Sequence, residues 1–369
     1  MKKFLFMVAV SVLKFYASIV LYVKRPEIIA ITGSIAKSST KEAIFSLLYE
    51  KFGHAVGKSE GNLNTEIGVP LTILRFKKAI PPYFLLMVLI WAFFKAIFII
   101  LFVKYPKILV LEMAADKPDD IEYLISYVKP KVAVITAIGP AHLHTFKSIF
   151  NVAKEKTKLV EVLPKDGYAV LNQNDGLVKK MSLKTRAKIK FFIPKNNDIA
   201  SEAAKMIGEI YQLSDQQIRM GLKKVTPLIG RMNLAAGKNG SLILFDAYNA
   251  NPVSMSFALH RLSDLASRNN KKRKIAILGD MLELGKYAKI GHKEVAKVAK
   301  KEADLLLCVG DYGKIIAREG GGHFFETKKE LIDFLINKIN KNDIILIKAS
   351  RKMKFEEIAR ALELEEDKK

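Results

Sequence analysis

Two runs of this chain are apolar almost without interruption, and the remainder alternates between short β-rich stretches and longer helical ones. Residues 4–23 carry one charge, Lys14, and residues 84–103 carry one charge, Lys95. At ~1.5 Å per residue, a twenty-residue helix reaches ~30 Å, the thickness of a bilayer's hydrocarbon core. Lys2, Lys3, Lys24 and Arg25 flank the first run, and Arg75, Lys77, Lys78, Lys104 and Lys107 flank the second. Positive charge at both ends of each run assigns no orientation. No small-residue cleavage site follows the first run, so it does not read as a removed signal peptide.

Between and after these runs the pattern predicts strands at 27–32, 107–113, 131–136 and 168–171, with helices at 38–51, 118–128, 148–163 and 200–211. A second series predicts strands at 241–246, 274–279, 304–309 and 343–348, with helices at 254–267, 292–301 and 328–340. Strand and helix in alternation imply a parallel sheet with helices on its faces. The expectation is therefore an α/β protein of three parts: an N-terminal apolar helix at 1–25, a central domain at 26–229 with an apolar insertion at 79–103, and a C-terminal Rossmann-like α/β domain at 230–369. The boundary is set by the turn-like Thr226-Pro227 pair, and the charged tail from Glu363 to Lys369 is expected to fray.

Composition narrows the class. Half of the 369 residues are hydrophobic, enough to bury full cores and to exclude a disordered chain. A single cysteine, Cys308, excludes a disulfide framework and a cysteine zinc cage, and suits a reducing compartment. Lys and Arg number 61 against 37 Asp and Glu, a net charge of +24 that calls for an anionic partner: nucleic acid, a phosphorylated substrate or acidic lipid. Nucleic acid has the least support, because no recognised binding module and no interleaving of aromatic and basic residues accompanies the charge.

The chemistry begins where the first predicted strand runs into Gly33-Ser34-Ile35-Ala36-Lys37-Ser38-Ser39-Thr40-Lys41 and then a helix. This is the layout of a phosphate-binding loop: backbone N–H groups and a helix N-terminus face an anion, a lysine reaches terminal phosphates, and a hydroxyl ligates Mg²⁺. Ala36 stands where glycine normally precedes the lysine, which strains the loop or shifts the phosphates. The strand ending in Leu111-Glu112-Met113 would deliver a carboxylate beside the loop, and the next strand would bring His142 to the same carboxyl edge of the sheet, where open α/β sheets bind ligands.

The runs Ile31-Thr32-Gly33-Ser34 with Lys37-Ser38 and Thr40-Lys41-Glu42, Gly61-Asn62-Leu63-Asn64-Thr65-Glu66-Ile67-Gly68, Leu111-Glu112-Met113, Ile138-Gly139-Pro140-Ala141-His142-Leu143, Gly230-Arg231-Met232, Asp246-Ala247-Tyr248-Asn249-Ala250-Asn251-Pro252 and Leu278-Gly279-Asp280-Met281-Leu282-Glu283-Leu284-Gly285 closely resemble the Mur ligases. Within that family the match is to the type that adds D-alanyl-D-alanine to a UDP-N-acetylmuramoyl tripeptide. It covers residues 27 to 362, and seven ordered motifs are far more specific than any one of them.

The resemblance implies a P-loop ATPase-like central domain with ATP and Mg²⁺ as cofactors. Gly33, Ser34, Lys37, Ser38 and Ser39 would hold the phosphates, with Ser38, Glu112 and His142 as metal ligands. Lys156 matches the lysine that CO₂ carbamylates in this family, which would make it a fourth metal ligand and, with Lys37 and His142, part of the catalytic set. Lys154 and Lys158 lie in the same run and leave its register open. Arg231, Asp246, Tyr248, Asn249 and Asn251 would approach the nucleotide. Asn62, Asn64 and Thr65 would contact the muropeptide. Asp280, Glu283, His292, Lys348, Ser350 and Arg351 would lie toward the incoming dipeptide, with Ala349 replacing a glycine of the family's late motif.

The implied reaction activates a peptide carboxylate as an acyl phosphate, which the next unit's amine attacks; its needs are phosphate charge stabilisation and positioning, not a protein nucleophile. The implied partners are a muramoyl-peptide precursor, D-alanyl-D-alanine and an acidic membrane surface, and the implied location is the cytoplasmic side of the cell membrane. Only about thirty residues precede the loop, whereas family members usually carry a separate UDP-sugar domain there, so a lipid-carried substrate is one expectation. The phosphate loop lies before the second apolar run and Glu112 after it. A single crossing at 84–103 would separate two halves of one site, and two crossings need ~40 residues. That run therefore lies in the interface, re-enters, packs against the first apolar helix, or is buried between subunits. Two other readings stand beside this one: a related ligase with another acceptor, and a membrane-bound ATP-binding scaffold without ligation.

Overall fold

The computed structural model describes residues 2–78, 85–195, 198–226 and 228–363. Pro227 and the tail 364–369 lie outside them. The chain forms two compact units, Met1–Ile138 with Phe150–Thr226, and Gly139–Ile149 with Pro227–Lys369.

In chain order the first unit contains α1 (Lys2–Lys24), β1 (Glu27–Thr32), α2 (Lys37–Phe52), β2 (Val56–Lys58), α3 (Gly68–Ile73), α4 (Leu85–Phe102), β3 (Ile108–Glu112), α5 (Asp120–Ile125) and β4 (Val132–Ile135). After the short α6 (Leu143–Phe146), which belongs to the second unit, come α7 (Ile149–Glu161), β5 (Tyr168–Asn172), α8 (Gly176–Lys180), β6 (Lys188–Phe192), α9 (Ile199–Ile210) and α10 (Asp215–Lys223). The six strands form one wholly parallel sheet in the order β2-β3-β1-β4-β5-β6. β1, β3 and β4 are central, so their runs EIIAIT, ILVLE and VAVI are apolar on both faces and almost fully buried. From β1 the order runs to β3 on one side and β4 on the other, which makes the carboxyl end of β1 a switch point.

The second unit adds β7 (Asn233–Ala236), β8 (Leu242–Phe245), α11 (Pro252–Arg268), β9 (Arg273–Leu278), α12 (Ala288–Glu302), β10 (Leu305–Val309), α13 (Gly313–Gly320), β11 (His323–Phe325), α14 (Lys328–Ile336), β12 (Asp343–Lys348) and α15 (Glu356–Leu362). Its sheet runs β11-β10-β9-β12-β8-β7, parallel except for β7, which pairs antiparallel with β8. One core packs α11, α12 and α13 on one face, and a second packs α14 and α15 on the other.

Every predicted strand is present to within two residues at either end. The strands without a sequence signal, β2, β6, β7 and β11, are the edges of the two sheets. Two of them are three residues long, and β6 (KIKFF) exposes four of its five residues. Short, charged edges are how sheets avoid pairing with other chains, and they leave no apolar run to read.

Candidate active site

The loop after β1 has the backbone of an anion cradle. Gly33 has φ 152°, and a Cβ there would lie 1.9 Å from Thr136 Oγ1, so no side chain fits. Ser34 N–H donates to Ala137 O (2.7 Å), and Thr136 Oγ1 donates to Ile35 O (2.6 Å), tying the loop to the end of β4. Ala36 caps α2 in the left-handed region (φ 59°, ψ 4°) and supplies no side-chain cap. The position where the resemblance expects glycine is thus left-handed, and an alanine holds it at a cost of about 1 kcal/mol. Lys37 Nζ donates to Gly33 O (2.9 Å), folding the lysine back over the loop. Ser38 is buried and Ser39 half-buried in the first turn of α2.

Glu112, at the end of β3, is 1 % exposed. Its Oε1 accepts from Asn64 Nδ2 (2.8 Å), while its Oε2 is buried with no hydrogen-bond partner and lies 4.0 Å from Lys41 Nζ. Lys41 is fully buried and bridges to Gly61 O (3.1 Å) and Glu42 Oε1 (3.4 Å). Glu42 also pairs with Lys58. Lys41 was quoted in the sequence motif without a role; it holds the 61–65 loop and Glu112 together, a job its place in the motif did not reveal. Asn64 is likewise a positioning group for Glu112 rather than a free substrate contact. Thr65 Oγ1 accepts from Gly68 N (3.4 Å), and Asn62 is exposed.

The three lysines of α7 have different surroundings. Lys154 is exposed. Lys158 pairs at the surface with Asp119 (2.9 Å), Glu122 (2.7 Å) and Glu155 (3.1 Å). Lys156 points inward, is 2 % exposed, and makes a single long bond to Thr32 Oγ1 (3.4 Å). Burial, then the charge of Lys37, push its ammonium down to about 7, against the opposing pull of Asp116, Glu155 and Asp120. Burial thus favours the neutral amine, the form whose lone pair attacks the carbon of CO₂.

Among the described residues, no three His, Cys, Asp or Glu side chains converge as a metal site. The residues nonetheless fit Mg²⁺: a dry carboxylate oxygen lacks a donor, a hydroxyl sits at the helix start, and this ion takes few protein ligands and completes its shell with water and phosphate oxygens.

His142 lies in the second unit. It caps α6 at φ 52°, and its Nδ1 is 3.2 Å from Glu283 Oε2. Gly139 sits so close to Val253 that a Cβ would come within 2.4 Å of it, which seats this segment on α11.

Several residues expected to bind ligands are engaged inside the second unit. His292 is fully buried and stacks on Tyr312 at 4.7 Å. Its Nε2 accepts from Met281 N (2.9 Å), its Nδ1 donates to Ala288 O (2.7 Å), and burial holds its pKa below the ordinary value. Both ring nitrogens are used, so His292 is a structural residue and not a dipeptide contact. Asp280 Oδ1 accepts from Tyr312 N and Gly313 N (3.0 Å each) at the start of α13; burial raises its pKa. Ser350 Oγ accepts from Leu282 N (3.0 Å). Asn251 Oδ1 caps α11 through Ser254 N (2.8 Å). Lys348 Nζ spends all three donors on Asp246 Oδ2 (2.5 Å), Asp246 O (3.2 Å) and Asn249 O (3.0 Å), so Lys348 and Asp246 clamp the 246–251 loop. These polar residues are also the means by which the loops hold their shape, a use that sequence spacing cannot separate from ligand contact. Tyr248 is half-buried, with the Arg231 guanidinium 4.1 Å and that of Arg351 5.7 Å from its ring.

Comparison with known proteins identifies the two halves of the chain. Residues 94–235 match the Mur ligase middle domain and residues 230–351 the Mur ligase, glutamate ligase domain. The UDP-N-acetylmuramoyl-tripeptide--D-alanyl-D-alanine ligase of Bacillus subtilis is 30% identical, over 91% of this chain and 75% of that protein. The crystal structure of MurF from Acinetobacter baumannii superposes with a TM-score of 0.77 at 23% identity, covering 96% of this chain and 79% of that one. MurF ligase from Thermotoga maritima, solved with ADP, gives the same score and identity over 95% and 83%.

Proposed function

We infer function from a plain premise: the chain belongs to the Mur ligase family, enzymes that form an amide bond at the expense of ATP. The reaction that fits best is addition of D-alanyl-D-alanine to a muramoyl tripeptide in peptidoglycan precursor synthesis. The peptide carboxylate attacks the γ-phosphorus of ATP, ADP leaves, and the dipeptide amine displaces phosphate from the acyl phosphate and loses its proton to water.

Lys37 and the start of α2 hold the phosphates against their own repulsion. Ser38, Glu112 and Lys156 as its carbamate would hold Mg²⁺, which when bound neutralises charge on the transferring phosphoryl group. Lys41 and Asn64 keep Glu112 aimed. Arg231 and Tyr248 are assigned to the nucleotide, and Glu283, which unlike its neighbours Asp280 and His292 is 45% exposed, to the dipeptide. We place this chemistry at the cytoplasmic face of the membrane, where acidic lipid meets the basic surplus of the chain.

The observation that carries the reading is the buried Glu112 carboxylate with one unpartnered oxygen, at the sheet edge that also presents the glycine–lysine loop. The test is ADP release by the purified chain with Mg²⁺, a muramoyl tripeptide and a panel of amino acids and dipeptides, with mass detection of the product. Release should depend on D-alanyl-D-alanine and vanish in Lys37→Met and Glu112→Gln. Release with a different acceptor would move the chain to another Mur-type reaction; nucleotide binding without acceptor-dependent release would reduce it to a scaffold.

A further inference from the structure

α1 and α4 pack against each other in the first unit, and both run toward the same end of the sheet, into the adjacent parallel strands β1 and β3. Lys24 Nζ bonds Val103 O (3.0 Å) where the helices finish, and Tyr16 meets Phe93 at 5.9 Å midway. Their facing stripes are buried: Ala9, Leu13, Ala17 and Val20 on α1, and Val88, Ala92, Ala96 and Ile99 on α4. The outer stripes are large, apolar and open. Phe15, Ile19 and Tyr22 are 61, 37 and 73% exposed, and Trp91, Phe94 and Phe98 are 65, 64 and 58% exposed. Large apolar side chains left open in such number mark a docking face.

We propose that α1 and α4 form a platform that lies in the plane of an acidic membrane surface, immersed to the depth of its outer aromatic stripe and crossing nothing. Charge selects the occupant. Residues 1–26 and 67–111, the stretches of sequence that include both helices, contain eleven Lys and Arg and not one Asp or Glu. A second copy docked on the same face would bring two such rims together, whereas acidic lipid headgroups neutralise one. Burying the apolar face while the rim meets headgroups is the balance of an interfacial helix.

The tertiary contacts exclude a span. By length and composition α1 qualifies as one, since Phe6–Lys24 is long and apolar enough. Its middle is nevertheless pinned to the globular unit: Tyr123 Oη donates to Val10 O (3.1 Å), and Lys14 Nζ lies 4.9 Å above the Tyr123 ring. α4 is pinned the same way, because Lys95 Nζ donates to Arg75 O (2.8 Å) and lies 4.2 Å from the centre of the Phe76 ring. Arg75, Lys77 and Lys78 therefore sit beside the middle of a helix only ~27 Å long, where a span would require hydrocarbon.

The test is flotation of the full-length chain with vesicles of phosphatidylcholine alone or mixed with phosphatidylglycerol. Binding should be about tenfold stronger to the mixed vesicles and should weaken with salt. Combining Trp91→Ser, Phe94→Ser and Phe98→Ser should cut binding about tenfold or more, with the thermal melt kept as a check on folding. Combining Lys77→Gln and Lys78→Gln should lower the preference for acidic lipid severalfold. Trp91 is the single tryptophan and lies near the middle of α4, so it reports depth without labelling. Lipid bromines near the headgroup should quench it more than bromines at the chain end. Stronger deep quenching would overturn the in-plane geometry. Wild-type binding that is absent, or unchanged in both variants, would overturn the platform, and so would a dimer that the serine variant dissolves without any vesicle binding. None of these readouts uses turnover, so the ligase reading stands or falls separately.

Discussion

Two lysines, one in each unit, are almost equally buried and have opposite surroundings. Lys348, 1% exposed, gives its three donors to Asp246 and Asn249. Lys156, 2% exposed, has one long bond to a threonine hydroxyl, with Lys37 near enough to depress its pKa. A buried ammonium with a carboxylate partner is a clamp, and removing it strands the carboxylate. A buried amine without one pays for its burial by giving up its proton, and so becomes chemically available. Burial alone distinguishes nothing; the partners do.

The comparison would break most visibly on turnover. Lys156→Met should lower kcat by about 10³-fold or more while leaving the fold intact, because the proposed metal ligand is lost and no internal bond network is. Full activity in that variant would remove Lys156 from the site. Lys348→Met should do the reverse, costing about 3–5 kcal/mol in urea unfolding as the buried Asp246 loses its counter-charge. The double variant with Asp246→Asn should recover part of that loss, whereas a simple sum of the two single losses would deny the clamp.

A smaller effect sharpens the Lys156 half. Its folded pKa, about 7, lies below the lysine value of 10.5, so between those pH values the unfolded chain binds more protons than the folded one. Folding stability therefore rises with pH in that window, and the full burial penalty is present below it. In CO₂-free buffer the wild type should gain about 2 kcal/mol over Lys156→Met between pH 7 and 9. Parallel curves would mean that Lys156 keeps its proton and cannot be the carbamylated residue.

Much of this was legible in the chain because central parallel strands are apolar on both faces and announce themselves: β1, β3, β4, β9 and β12 are cases. The glycine–lysine loop was legible because Gly33 admits no side chain. The edge strands were not, since β2 and β11 are too short and β6 too charged to leave a pattern. Nor could the polar motifs be divided by role. Asp246, Asn251, Asp280, His292, Lys348 and Ser350 stand in family-like runs, yet caps, clamps and a stacked ring occupy their hydrogen-bonding atoms. Lys41 ran the other way, an unremarked motif residue that proves to be a fully buried support for Glu112.

The amino-acid sequence by itself determined the α/β class, the phosphate loop and the set of residues from which a ligase site is drawn, because periodicity and steric demand are local. It also determined that two apolar helices with basic flanks must be accommodated somewhere. Only the tertiary structure decided that those helices lie side by side on one unit, since the contacts of Lys95 with Arg75 and of Tyr123 with Val10 join residues 20 and 113 positions apart. It likewise decided which of three neighbouring lysines faces inward, because α7 packs with the side that carries Lys156 toward Thr32 at the end of β1.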